Sequence, residues 1–77
     1  MIYDYSKLRG RIIEKYGCVS KFCDAINISE TTIYLKLQNK NEFTQSQIYD
    51  ACNLLDIPLE EIHVYFFQNL VKKNLTK

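Results

Sequence analysis

Apolar side chains recur along this chain at helical steps. Tyr5, Leu8, Ile12 and Tyr16 lie 3, 4 and 4 residues apart, one face of a helix. Ser6 stands where a cap for that helix is needed, and Gly17 where a left-handed residue would end it. Gly10 lies inside the helix at a cost of about 1 kcal/mol relative to alanine, which predicts a close helix crossing. A second, short helix is predicted from Val19 or Ser20 to Ile26, with Phe22, Cys23 and Ile26 inward. Ser29 is the N-cap of a third, Glu30 adds negative charge where the helix dipole favours it, and Ile33 and Leu37 form its inward pair. Thr44 and Gln47 have capping-box spacing ahead of Ile48, Ala51, Cys52 and Leu55, which fall at i, i+3, i+4 and i+7. Asp56-Ile57-Pro58 breaks this fourth helix. A fifth follows, with Leu59, Ile62 and Phe66 on one face and Glu60 and Glu61 in its first turn. The last residues, 68–77, extend the fifth helix, form a short strand, or fray.

Five short helices make an all-α fold, and 77 residues hold one domain. Such a chain buries one compact core and has no room for a deep, walled active site. Two glycines and one proline are too few for the turns of an all-β protein. No apolar run approaches a membrane span and no secretory signal opens the chain, so the expected compartment is the cytoplasm. Three cysteines, Cys18, Cys23 and Cys52, suit free thiols there. Their spacing with His63 is not that of a zinc site, and no metal or cofactor is expected.

The near-neutral total charge of +1 hides a strong asymmetry. Residues 1–40 carry seven bases against four acids. Residues 41–67 carry five acids and no Lys or Arg, and residues 68–77 carry three lysines and no acid. Local field steers a charged partner more than net charge does.

The stretch CDAINISETTIYLK stops one helix at Asn27 and starts another two residues later, with no glycine or proline to force the break. Asparagine tolerates the left-handed conformation because its side chain bonds to nearby backbone. Two short helices joined in this way describe a helix-turn-helix, with Cys23 small enough for the place where the helices touch. Residues 20–40, SKFCDAINISETTIYLKLQNK, resemble the helix-turn-helix of phage Cro and repressor proteins and their XRE-type relatives. Through FTQSQIYDACNLLDIPLEEIHVYFF the resemblance continues to small phage and prophage regulators of Gram-positive bacteria, covering residues 5–67. Asn27 departs from the family's usual glycine, and Lys36 from a frequent apolar residue, with Leu37 supplying the inward contact.

The resemblance implies a lambda-repressor-like, DNA-binding domain over residues 5–67, with the third helix in the major groove of double-stranded operator DNA. With Ile33 and Leu37 inward, Glu30, Thr31, Tyr34, Leu35 and Gln38 are the candidate base-reading residues. Thr31 can bond a base edge, Gln38 can pair with adenine and Leu35 can pack on a thymine methyl; the lesser alternative is that Tyr34 and Leu35 fold back on the core. Ser20, Lys21, Ser29, Asn39 and Lys40, at helix ends, are the candidate phosphate contacts, with Lys7, Arg9 and Arg11 weaker ones.

The family also implies a homodimer on a palindromic site. Tyr65, Phe67, Leu70 and Val71 are candidates for its interface; closure of the monomer's own core is the alternative. The tail, residues 68–77, is a dimer contact or disordered. No small-molecule ligand is expected. An enzyme is not expected either, since His63 has no nucleophile or glycine-rich loop beside it. The rival reading is a helix-turn-helix reused to bind another protein, as an antirepressor would be, without reading DNA.

Overall fold

The computed structural model describes residues 2–69, whose regular structure is helical: α1 (Ser6–Tyr16), α2 (Val19–Ile26), α3 (Glu30–Leu37), α4 (Gln45–Leu55) and α5 (Ile62–Phe66). Leu70 and Val71 lie outside the described residues. A single 3-10 turn, Leu59–Glu61, leads into α5. None of these helices is long and apolar enough to cross a membrane. The core is the set the periodicity marks out. Leu8 and Ile12 of α1, Phe22, Cys23 and Ile26 of α2, Ile33 and Leu37 of α3, and Ile48, Ala51, Cys52 and Leu55 of α4 are all buried, with Ile57 and Phe66 beside them.

Left-handed residues end three of the helices, and none of the three is a glycine. Asn27 (φ 62°), Asn39 (φ 65°) and Asp56 (φ 55°) follow α2, α3 and α4. After Asn27 and Asp56 the next amide turns back to the helix: Ile28 N–H donates to the Cys23 carbonyl at 3.1 Å, and Ile57 N–H to that of Cys52 at 2.9 Å. These bonds satisfy carbonyls that the helix end would otherwise leave unpaired. Each also folds the following isoleucine toward the core, Ile28 half-buried and Ile57 fully. Gly17, also at positive φ (85°), ends α1, its own N–H donating to the Ile13 carbonyl at 2.8 Å.

The N-caps follow the sequence in two cases and depart from it in one. Ser29 Oγ accepts the Thr32 amide, and Thr44 and Gln47 form the reciprocal capping box. Ser6 does not cap α1. It is the first helical residue, and Asp4 Oδ1 accepts both its amide (2.9 Å) and its hydroxyl (2.7 Å). A carboxylate two residues upstream outcompetes the hydroxyl because it accepts both donors at once and suits the positive end of the helix. The close crossing expected at Gly10 is absent as well: nothing lies within 4 Å of where its Cβ would be, and the residue is exposed.

Leu59 is the third departure. It is 62% exposed, because Pro58 starts a tight 3-10 turn before the α-helix is established at Ile62.

Aromatic rings knit the chain ends to the core. Tyr5 meets Phe43 edge-on at 5.5 Å between centroids, and Phe43 meets Phe66 in the same way at 5.3 Å. All three cysteines are free. Burial pushes the Cys23 and Cys52 thiols up, so both stay protonated and pack as small apolar groups.

Candidate functional site: the outer face of the helix-turn-helix

Asn27 turns the chain so that α3 leaves α2 with Ile33 and Leu37 against the core. Its opposite side is the candidate face. Glu30, Thr31 and Gln38 are exposed there, whereas Tyr34 and Leu35 are half-buried. Tyr34 packs partly onto the core and has the Arg9 guanidinium 6.0 Å from its ring centroid. For Tyr34 the alternative of folding back on the core is thus partly realised.

Lys36 gives α3 its electrostatic character by being missing from the outer face. It is only 6% exposed. Its ammonium donates to the Glu42 backbone carbonyl at 2.9 Å and lies 5.8 Å from the Phe43 ring centroid. The aliphatic stem covers core while the charged end finds a carbonyl and a ring face. Position 36 is three residues after Ile33, one helical step along the inward side, so the spacing signals the burial that the charge conceals. α3 therefore presents no cation of its own outward, and its first turn presents Glu30.

Outward cations come from neighbouring segments. Arg9 of α1, which lies over Tyr34, Lys21 on α2 and Lys40 after α3 are exposed, as is Ser20. The other two candidate phosphate contacts have internal work. Ser29 Oγ caps α3 and donates to Thr32 Oγ1 at 2.9 Å. Asn39 uses its side-chain amide on both backbone groups of Tyr3. Sequence reading missed this pairing because the residues stand 36 positions apart. On α1, Arg11 bonds the carbonyls of Leu55 and Asp56 at 2.7 and 3.1 Å, leaving Lys7 exposed and uncommitted among the described residues.

Phe67 is 46% exposed and Tyr65 half-buried against the core. Phe67 is held edge-on by Tyr3 at 5.6 Å. Tyr3 and Asn69 form one antiparallel bridge. Phe67, Tyr49 and Ile62 line a groove of about 410 Å³ between α4 and α5, floored by Phe43 and Ile48.

Residues 1–69 match the family model described as protein of unknown function, DUF739. The chain belongs to this family. Its fold is similar to the solution structure of the modulator of repression of the temperate bacteriophage TP901-1 from Lactococcus lactis. The two share 40% identity and a TM-score of 0.76 over 87% of this chain and 90% of that one. No curated protein is significantly similar to the chain.

Proposed function

We propose that this DUF739 protein is a phage-type regulator that acts by binding another protein of the repression system. Its helix-turn-helix then serves as a scaffold and does not read bases. The observation that carries this reading is the 40% identity, across nearly the whole chain, to a protein that modulates repression. The outer face of α3 supports it. A major-groove reader gains most of its affinity from cations facing phosphate, whereas α3 turns Lys36 inward and leads with Glu30. No catalysis is assigned to it.

The test is direct binding to the repressor of the phage or prophage that carries this chain, with mass measured in solution. A complex of defined stoichiometry is expected, with a salt dependence far shallower than that of a protein held by many phosphate contacts. Absence of any complex with that repressor would overturn the reading.

A second reading, operator DNA bound by a homodimer, is favoured by the exposed Thr31 and Gln38 flanked by Lys21 and Lys40. Phe67 and Tyr65 would then contribute to the twofold contact. On that reading Thr31→Ala or Gln38→Ala costs about 1–3 kcal/mol on one DNA sequence and little on others, and Lys40→Ala flattens the salt slope. Binding weakened equally on all DNA, or no binding at low salt, excludes it.

A further inference from the structure

We propose that the groove between α4 and α5 is the docking site for a basic amphipathic helix of a partner protein. This rests on the protein-binding reading above and assigns it a surface. Tyr49 and Phe67 are each 46% exposed and face one apolar groove with Ile62 at its side. The cleft between Tyr3, Tyr5 and Glu42 shares Phe43, Ile48 and Phe67 with it and so continues the same surface. Large apolar side chains scattered singly on a surface need no explanation, but a contiguous aromatic groove marks a binding site.

Charge selects the occupant. Every formally charged residue between 41 and 67 is an acid. Glu42 lines the adjoining cleft, and Glu60 and Glu61 immediately precede Ile62; all three are exposed. None of the three forms an ion pair among the described residues. An apolar floor with an acidic border fits a helix whose apolar residues recur at i, i+3, i+4 and i+7 and whose flanks are Lys or Arg. Two copies of this chain meeting groove to groove would oppose like charges, as a twofold contact places the same patch on both sides. A small molecule fits less well, because no buried polar side-chain atom among the described residues is left without a partner to recognise one.

The experiment uses the full chain and two synthetic helical peptides. Both carry leucine at i, i+3, i+4 and i+7; one has lysine and the other glutamate at the remaining positions. The lysine peptide is expected to shift the amide resonances of Tyr49, Ile62 and Phe67 and to bind at least tenfold more tightly than the glutamate peptide. Tyr49→Asp should weaken it at least tenfold. The double change Glu60→Lys, Glu61→Lys, at exposed positions that leave the core intact, should reverse the preference between the peptides. Equal binding of the two peptides, no binding of either, or shifts confined to α3 overturns the proposal. So does a dimer of the chain that Tyr49→Asp abolishes, since a second copy would then occupy the groove. The phage repressor separates this inference from the function it rests on. Repressor binding unaffected by Tyr49→Asp removes the groove and leaves the protein-binding reading standing. Lysine-peptide binding at the groove with no repressor binding does the reverse.

Discussion

The side-chain amide of Asn39 pairs with both backbone groups of Tyr3, accepting its N–H at 2.8 Å and donating to its carbonyl at 2.9 Å. One residue thereby imitates a strand neighbour. Tyr3 in turn bridges Asn69, and Asp4 N–H donates to the Gln68 carbonyl at 2.7 Å. The end of α3, the N-terminal segment and residues 68–69 are thus one hydrogen-bonded unit.

Asn39→Gly keeps the left-handed backbone and removes both bonds. It is expected to cost about 1–2 kcal/mol, the usual worth of two part-buried hydrogen bonds that water partly replaces. Urea unfolding measures the loss, and amide exchange should quicken at Tyr3 in particular. Unchanged protection at Tyr3 would show that the pairing does not hold the segment.

Lys36 predicts an asymmetry between two substitutions. Lys36→Met keeps the stem and removes an ammonium that must be desolvated, so stability should stay within about 1 kcal/mol of the parent. Lys36→Ala also removes the stem from over the core and should cost about 2 kcal/mol or more. Thermal unfolding of the pair decides whether the residue contributes through packing or through its charge. Equal losses for Met and Ala, both of which remove the ammonium, would identify the bond to the Glu42 carbonyl as the dominant contribution.

Asn27 sets the angle between α2 and α3. Asn27→Ala keeps a Cβ in the left-handed region but loses the polar side chain that eases it there, and should cost about 1–2 kcal/mol, whereas Asn27→Gly removes the Cβ and should be neutral or stabilising. Chemical denaturation of both variants tests this, and equal losses for the two would mean that the asparagine side chain matters more than the backbone angle.

Acid stability follows from two carboxylates. The Lys15 ammonium, bonded to Asp56, holds that carboxyl below its ordinary value, with Arg11 adding to the effect. Hydrogen bonds from the Ser6 amide and hydroxyl do the same for Asp4. A depressed folded-state value means that the stabilisation is present above the unfolded value, about pH 4, and is lost as the pH falls below it. Carboxyl NMR titration of Lys15→Ala should show Asp56 rising toward the ordinary value with Asp4 unmoved. The Asp56 carboxyl is solvent-exposed, so added salt should shrink its effect.

Much of the fold was legible because its determinants are local. Ser29, Thr44 with Gln47, and the left-handed Asn27 act within three or four residues of themselves, and the stripes Leu8–Ile12 and Ile48–Leu55 repeat at short steps. The misreadings have one cause in common: a partner or competitor that a local rule does not weigh. Asp4 displaced Ser6 at the α1 cap. Leu59 stands exposed in the 3-10 turn that follows Pro58, and the Phe43 ring and the Glu42 carbonyl made room for a lysine inside. At the candidate site, the outward positions of Glu30, Thr31 and Gln38 followed from the Ile33–Leu37 pair. The groove did not, since Phe43, Tyr49, Ile62 and Phe67 come from three separate segments.

Because Tyr3 and Asn69 lie side by side, a linker of a few residues could join positions 2 and 69 without disturbing any helix. New ends could then open in the exposed loop at Lys40–Asn41, directly after the turn at Asn39. In such a circular permutant α3 would finish near a free end, and its anchorage to Tyr3 would rest on a single amide side chain.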